Sequence, residues 1–220
     1  MKGLFITLEG GEGSGKTTAA ARVLELLEGM DIPCLYTREP GGIPIAEEIR
    51  RTILNPAHTE MDGHTEALLY AAARRQHLVE KVKPALDAGM VVVCDRFVDS
   101  SIAYQGFARG IGEEKVYEMN QFAIDGFLPD LTIFFDLPPQ AGLARIASNS
   151  KRHVDRLDLE GLAFHEAVYE GYLRQAKRFP ERIVSVDASQ GPEELAHKVL
   201  TLILNKWKQG GKLDEGLGEH

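Results

Sequence analysis

Short apolar stretches and longer helical patterns alternate along the chain, and this alternation predicts its secondary structure. Strands are predicted at the short apolar stretches, residues 4–8, 33–37, 90–95, 131–137 and 183–187. Helices are predicted at residues 16–28, 45–54, 65–87, 113–124, 139–149, 159–177 and 192–208. Because strands and helices alternate, we expect an α/β fold in which a parallel sheet is wrapped by helices.

The composition fits a single domain. With 220 residues, of which 44% are hydrophobic, the chain can bury a substantial core, and we expect one domain over residues 1–208. Residues 148–158 are polar and basic, which fits a solvated loop or a short lid, and a short lid is predicted. Residues 209–220 are rich in glycine and charge and lack an apolar period, which predicts a flexible tail.

Charge and cysteine content exclude several classes of protein. The 25 basic and 33 acidic residues give a net charge of −8, which argues against broad binding to nucleic acid or to an anionic membrane. The apolar start is too short for a signal peptide or a membrane span, so we expect a cytoplasmic protein. Cys34 and Cys94 lie in predicted strands and are expected to be reduced core thiols. The histidines lack metal-ligand spacing, and His77 is interpreted as facing solvent or a partner subunit.

A glycine-rich loop follows the first predicted strand and precedes the first predicted helix. It matches the pattern G-x-x-x-x-G-K-[ST] in the run Gly10-Gly11-Glu12-Gly13-Ser14-Gly15-Lys16-Thr17. The glycines let successive backbone N–H groups point at phosphate oxygens, and the positive end of the following helix adds to the attraction. Lys16 is expected to bridge the terminal phosphates of a nucleoside triphosphate and Thr17 to offer its hydroxyl to Mg²⁺, with Thr18 as a further nucleotide contact. The loop predicts a nucleotide site but does not identify an acceptor.

An acidic residue ends the predicted strand at residues 90–95. In P-loop folds such a residue commonly helps to hold the metal ion and its water, so Asp95 is predicted to belong to the metal site together with Thr17. Arg96 follows directly. The pair lies at the carboxyl edge of the predicted sheet, where ligands bind, and this place favours a functional role over a weak surface ion pair.

Three further clusters are rich in groups that recognise a phosphorylated base. They are residues 38–42 (REPGG), the helix carrying Tyr70, Arg74 and Arg75, and residues 99–106 (DSSIAYQG). Together they predict a second substrate pocket. The guanine-reading sequence Asn-Lys-x-Asp, which a GTPase switch requires, does not occur in the chain. Two alternatives remain open besides the function inferred below: a kinase for another nucleoside monophosphate, and a regulatory P-loop module that signals by conformational change.

In this order and spacing the motifs resemble those of bacterial thymidylate kinases, over nearly the whole chain from Phe5 to the last predicted helix. The resemblance is carried by the P-loop and by TREPGG at residues 37–42, TEALLYAAARR at 65–75, DRF at 95–97, DSS at 99–101, AYQG at 103–106 and RLD at 156–158. It implies phosphoryl transfer from ATP to dTMP with Mg²⁺, a P-loop NTP hydrolase fold with strand order 2-3-1-4-5, and a homodimer formed through the long helices. The family's Asp-Arg-Tyr motif ends in Phe97 here, which removes a hydroxyl and is expected to preserve packing.

The resemblance also implies which residues hold the acceptor. Arg96 and Arg50 are expected to bind the phosphate of dTMP, since guanidinium groups can fork onto its oxygens. Glu39 is expected to line the acceptor end near the transferred group. Pro40 is expected to contact the thymine methyl group, and Ser101 belongs to the same set of contacts.

Base and sugar are expected to be recognised by further side chains of the same motifs. Tyr70 takes the family's aromatic stacking position, usually Phe, and would lie against the thymine ring. Arg74 would reach a base carbonyl, and Gln105 would offer a donor and an acceptor to the base edge. Tyr104 would crowd the second carbon of the sugar and disfavour ribonucleotides. Glu12 would contact the sugar hydroxyl, directly or through water or metal.

Members of this family complete the phosphate cage with an arginine from either the P-loop or the lid. The variable P-loop positions, residues 11–14, contain no arginine here, so the lid is expected to supply it. Arg152 and Arg156 are the candidates, and Arg145 ranks behind them. The catalytic set is then completed by Lys16, Asp95 and Arg96.

Overall fold

The computed structural model describes residues 3–148 and 156–210. The strands in this part of the chain are β1 Leu4–Glu9, β2 Cys34–Arg38, β3 Val91–Asp95, β4 Leu131–Asp136 and β5 Ile183–Asp187. The α-helices are α1 Lys16–Glu28, α2 Pro44–Leu54, α3 Gly63–His77, α4 Lys83–Asp87, α5 Val98–Ser101, α6 Glu113–Ile124, α7 Pro139–Ala147, α8 Leu162–Arg178 and α9 Pro192–Gln209. Every predicted strand is confirmed to within one residue at either end.

The strands form a single parallel sheet in the order β2-β3-β1-β4-β5, which confirms the expected order 2-3-1-4-5. The first strand, β1, is central and pairs with β3 on one side and with β4 on the other. Parallel strands end at the same edge of a sheet, so the last residues of β1, β2 and β3 lie side by side. This edge carries Glu9, Arg38 and Asp95.

Apolar layers cover both faces of the sheet. On β3, Val91 and Val93 pack with residues of α1 and α9 on one face, whereas Val92 and Cys94 pack on the other. All four side chains are buried. Burial on both faces explains why the strands are continuous apolar runs in the sequence rather than alternating ones. Cys94 is a free thiol in the core, as expected, and Cys34 is a free thiol that is only partly buried.

The helix predicted over residues 65–87 is divided in the structure. A π-helical turn, Leu78–Val82, separates α3 from α4. At its end the backbone N–H of Lys83 donates to the carbonyl of Leu78, five residues earlier. Pro84 accounts for the change, because it has no N–H and its ring would clash with the carbonyl four residues earlier in a regular α-helix.

Two other segments differ from the prediction. The helix expected over residues 159–177 begins at Leu162, because Arg156–Leu159 form a 3₁₀ turn and Gly161 is extended. After β3 the chain forms α5 and then a π-helical segment, Ile102–Ala108, which the sequence pattern did not predict. This segment packs closely against α8, where a Cβ on Gly171 would lie 3.0 Å from the Cα of Ala103. The close approach holds the π-helical segment next to the edge of the sheet that carries the site.

Within residues 3–148 and 156–210 we find no helix that combines the length and the apolar character needed to cross a membrane. Residues 149–155, which include Arg152 and most of the expected lid, lie outside the described residues, as do residues 211–220 of the expected tail. The assignment of one domain to residues 1–208 stays a prediction.

Candidate active site

The P-loop connects β1 to α1 at the carboxyl edge of the sheet. Its backbone requires glycine at two positions in particular. Gly13 has a φ of 70°, and a Cβ there would lie 2.2 Å from the carbonyl oxygen of Gly142. Gly15 has a φ of 89° and directly precedes α1, so the loop turns straight into the helix N-terminus. Backbone N–H groups at such an N-terminus form an anion site.

Lys16 is buried and its ammonium lies over the P-loop. Its Nζ donates to the carbonyls of Gly10 and Gly11, each at 2.9 Å, and to Ser14 Oγ at 3.1 Å. Burial, together with the positive charge of Arg96, lowers the pKa of Lys16 to about 8. An anion bound at the loop would oppose both effects, so the site favours a negatively charged ligand.

Asp95 lies beside the P-loop at the end of β3. Its Oδ2 accepts hydrogen bonds from Thr17 Oγ1 at 3.0 Å and from the Tyr36 hydroxyl at 3.3 Å. Its Oδ1 is buried and has no hydrogen-bond partner among the described residues. A buried carboxylate oxygen without a partner is costly, and carboxylate and hydroxyl oxygens are ligands that Mg²⁺ prefers. The Asp95 and Thr17 side chains therefore fit a magnesium site.

A cleft of about 550 Å³ opens over the P-loop. It is lined by residues 12–18, by Asp95 and Arg96, and farther along by Arg145, Ile146, Gln190, Pro192 and Leu195. Arg145 donates to the carbonyl of Ala188 at 3.0 Å, which fixes its guanidinium at this cleft. The cleft thus joins the anion site to a larger space that can take the rest of a nucleotide.

A second cleft, of about 120 Å³, adjoins the first. All the residues predicted to contact the acceptor line it, namely Glu12, Glu39, Pro40, Arg50, Tyr70, Arg74, Arg96, Ser101, Tyr104 and Gln105. Glu12 and Arg96 line both clefts. The fold therefore gathers side chains that are distant in sequence into one pocket, and these two residues mark the boundary between the pockets.

Arg96 is held firmly at this boundary. Its backbone has a φ of 70°, in the left-handed region, directly after β3. Its Nη2 donates to Glu12 Oε1 at 2.6 Å and its Nη1 to the Tyr172 hydroxyl at 3.1 Å. The Tyr104 hydroxyl also donates to Glu12 Oε1, at 3.1 Å. The guanidinium is thus positioned before any ligand arrives, and an acceptor phosphate would compete with Glu12 for it.

Glu9, at the end of β1, is a buried acid that supports Arg96 indirectly. It accepts hydrogen bonds from the Ser100 hydroxyl at 2.5 Å and from the Tyr172 hydroxyl at 3.0 Å. Both hydroxyls also accept from Arg96. Burial, with the nearby negative charge of Asp99, raises the pKa of Glu9 from 4.5 to about 7. No motif in the sequence indicated a role for Glu9.

Glu9→Gln is expected to change how stability depends on pH. Between pH 4.5 and about 7 the folded protein keeps a proton on Glu9 that the unfolded chain releases, so the free energy of unfolding falls as pH rises through this window. Glutamine does not titrate. The Tm of the variant minus that of the wild type is therefore expected to be a few degrees higher at pH 8 than at pH 5. Thermal melts of both proteins at the two pH values measure this, and an equal difference at both would contradict it.

Arg74 is buried and lines the second cleft through a chain of contacts that the sequence did not reveal. Its Nε donates to Glu39 Oε2 at 2.8 Å. His77 bridges Glu39 and Thr37, with Nδ1 2.8 Å from Glu39 Oε1 and Nε2 2.7 Å from Thr37 Oγ1. The interpretation of His77 as facing solvent or a partner is therefore wrong, since its side chain is buried. Its position three residues after Arg74, on the same helix face, was the available signal.

The candidates for the phosphate-cage arginine lie in different places. Arg156 is buried away from the P-loop cleft, where its Nη2 donates to Glu66 and its Nε donates to the carbonyl of Ile53 at 2.8 Å. Arg145 lines that cleft, as described above. Arg152 lies outside the described residues. The assignment of the cage to Arg152 or Arg156 stays a prediction.

Comparison with known proteins places the chain in a family. The family model described as "Thymidylate kinase" matches residues 8–199. The "Thymidylate kinase" of Geobacillus sp. (strain WCH70) is 56% identical over 206 residues, which cover 94% of this chain and 98% of that protein. Those of Geobacillus thermodenitrificans (strain NG80-2) and Oceanobacillus iheyensis are 57% and 56% identical, cover 94% and 96% of this chain, and match over 92% and 95% of their own lengths. The chain therefore belongs to the thymidylate kinase family.

Proposed function

We propose that the protein phosphorylates dTMP to dTDP, with ATP as the phosphoryl donor. The observation that carries this proposal is the pair of adjoining clefts that share Glu12 and Arg96. A phosphoryl-transfer enzyme must align two phosphates and neutralise the charge that develops between them. A regulatory P-loop module needs no second cleft of this kind, so the geometry favours a kinase.

On the donor side, Lys16 and the N–H groups of the P-loop are proposed to hold the terminal phosphates of ATP. The lysine already lies at the loop and would turn from the carbonyls of Gly10 and Gly11 to the phosphate oxygens. Mg²⁺ held by Thr17 and Asp95 would supply positive charge to the same phosphates. These groups stabilise charge and do no covalent chemistry of their own.

On the acceptor side, Arg96 and Arg50 are proposed to hold the phosphate of dTMP. Both side chains line the second cleft. Arg50 Nη1 also donates to the carbonyl of Pro40 at 3.0 Å, which holds the Arg50 guanidinium beside Pro40. Tyr70 lines the same cleft and offers its ring for stacking on the base. Tyr104 is proposed to crowd the sugar, since its hydroxyl is hydrogen-bonded at the boundary of the two clefts.

An arginine of the lid, Arg152 or Arg156, is proposed to contact the phosphates when ATP binds.

The protein is proposed to assemble as a homodimer through the long helices. Large apolar side chains on the outer faces of these helices support this, since Phe122 on α6 is 90% exposed and Leu68 on α3 is 59% exposed. A cytoplasmic location remains as expected from the sequence.

The proposal is tested by following the products of a mixture of protein, ATP, Mg²⁺ and dTMP by chromatography. Equal amounts of dTDP and ADP are expected, with little ADP when dTMP is left out. ADP formation that is independent of dTMP, with no dTDP, would show that the second cleft is not an acceptor site.

Asp95→Asn is expected to lower kcat by roughly 10²-fold or more and to raise the Mg²⁺ concentration needed for half-maximal rate. Asparagine keeps the size of the side chain but removes the charge that the buried Oδ1 would direct at the metal. Initial rates over a Mg²⁺ titration, at saturating ATP and dTMP, measure both quantities. Asp87→Asn, an exposed site on α4, is the matched control. An unchanged Mg²⁺ dependence in Asp95→Asn would remove this residue from the metal site.

A further inference from the structure

Glu66 is a buried acid in the first turn of α3, outside both clefts. Its Oε1 accepts a hydrogen bond from the side-chain Nε2 of Gln105 at 2.7 Å. Its Oε2 accepts from the guanidinium of Arg156 and, at 3.4 Å, from that of Arg109. Gln105 lines the second cleft. Glu66 therefore lies behind a residue of the acceptor pocket and holds its side chain.

The contact with Glu66 determines which way the Gln105 amide faces. A carboxylate only accepts hydrogen bonds, whereas a glutamine amide donates through its nitrogen and accepts through its oxygen. The nitrogen must therefore face Glu66. The oxygen of Gln105 then lies on the other side of the amide, where it is the acceptor that this side chain can offer to the cleft.

Arg74 supplies the opposite polarity in the same cleft. Its N–H groups donate to Glu39 Oε2, Ser101 Oγ, Asn120 Oδ1 and the carbonyl of Phe97. Four of the five guanidinium N–H groups are thus used by acceptors in the described part of the chain, and one on Nη2 is left for a ligand. The cleft accordingly offers a base one donor, from Arg74, and one acceptor, from Gln105.

We propose that Glu66 is a positioning residue that sets base specificity by holding the Gln105 amide with its oxygen toward the cleft. This inference rests on the proposed function. Thymine presents a carbonyl oxygen, O4, beside a donor, N3–H, and so matches the Arg74 donor and the Gln105 acceptor. Cytosine presents an amino donor and a ring-nitrogen acceptor at the same positions and mismatches both. Turning the amide over would make Gln105 a donor and remove half of the match to thymine.

Glu66→Gln tests the inference, because the new side chain has one acceptor and one donor instead of two acceptors. Its carbonyl is expected to turn to the charged donors Arg109 and Arg156, so that its NH₂ group faces Gln105. The Gln105 amide then turns over and presents its nitrogen to N3–H of thymine. The ratio of kcat/KM for dTMP to kcat/KM for dCMP is expected to fall by about 10- to 100-fold, chiefly through a higher KM for dTMP.

A second substitution provides a rescue. When Glu66→Gln is combined with Gln105→Glu, the new amide can donate to the new carboxylate, whose other oxygen can accept from N3–H of thymine. The double variant is expected to recover most of the lost selectivity for dTMP over dCMP. If Glu66 merely stabilised the fold, altering a second buried residue would destabilise the protein further and would not restore the ratio of kcat/KM values.

Two further variants complete the experiment. Arg109→Gln removes a charged partner of Glu66 but keeps the contact with Gln105, and is expected to keep the wild-type ratio. Glu66→Asp keeps the charge but withdraws it from Gln105, and is expected to lower the ratio several-fold. It replaces Glu66→Gln in the test if thermal melting shows that Glu66→Gln does not fold. An unchanged ratio in the folded Glu66 variant, or an equal fall in Arg109→Gln, would overturn the inference. Failure of the wild type to phosphorylate dTMP would instead overturn the proposed function.

Discussion

Lys16→Met is expected to lower kcat for dTDP formation by about 10³-fold, because its ammonium is proposed to neutralise the charge on the phosphoryl group during transfer. Lys16 lies within 3.1 Å of three acceptors of the P-loop, so its side chain is already in place for the phosphates. Methionine has a similar length and no charge. The fold is expected to tolerate the change, since burial of the ammonium is unfavourable, as its lowered pKa shows.

Single-turnover and steady-state rates with saturating ATP and dTMP measure the loss, and thermal melts of the ligand-free protein show whether the fold is kept. Lys208→Met is the matched control, because Lys208 is exposed in the last turn of α9 and should leave kcat unchanged. A Lys16→Met protein that melts normally and keeps kcat within about 10-fold of the wild type would place the transferred phosphate elsewhere.

Arg96→Lys is expected to have the next largest effect, with kcat/KM for dTMP lower by roughly 10²- to 10³-fold. Lysine keeps the positive charge but loses the planar fork that contacts Glu12, Gly10 and Tyr172 together. A point charge on a flexible chain holds a phosphate in line less well than a fixed guanidinium. Because Arg96 lines both clefts, the variant is expected to lower kcat and also to raise the KM for dTMP.

The KM for ATP should change much less than the KM for dTMP, since the P-loop and Lys16 remain intact. Arg22→Lys, on the exposed face of α1, is the matched control. Initial rates measured with both substrates varied give kcat, the KM for ATP and the KM for dTMP. A rise in the KM for ATP alone would assign Arg96 to the donor and not to the acceptor phosphate.

Much of the fold could be predicted from the sequence because its signals are local. Strands buried on both faces leave continuous apolar runs, and the P-loop motif fixes both its own geometry and the strand and helix that flank it. The strand order came from the resemblance to a family, because apolar runs alone do not determine which strands are neighbours. The acceptor pocket was also expected from that resemblance, and its residues do line one cleft.

The contacts behind the pocket could not be predicted, because they join residues far apart in the chain. Glu66 contacts Gln105, 39 positions later, and His77 contacts Glu39, 38 positions earlier. These polar residues of α3 are buried together with their hydrogen-bond partners, whereas a polar residue in a helical pattern normally indicates a solvated face. The π-helical segment Ile102–Ala108 was missed for a related reason, since its shape depends on packing against α8.

The measurement that tests the central claim most directly is the rate of ADP formation with ATP, Mg²⁺ and each of dTMP, dUMP, AMP, GMP and CMP in turn. Fast formation with dTMP, slower formation with dUMP and negligible formation with the others is predicted. A higher rate with another monophosphate would contradict the proposal that Arg74 and Gln105 recognise thymine. If none of them stimulates ADP formation although ATP binds, the protein is a nucleotide-binding module and not a kinase.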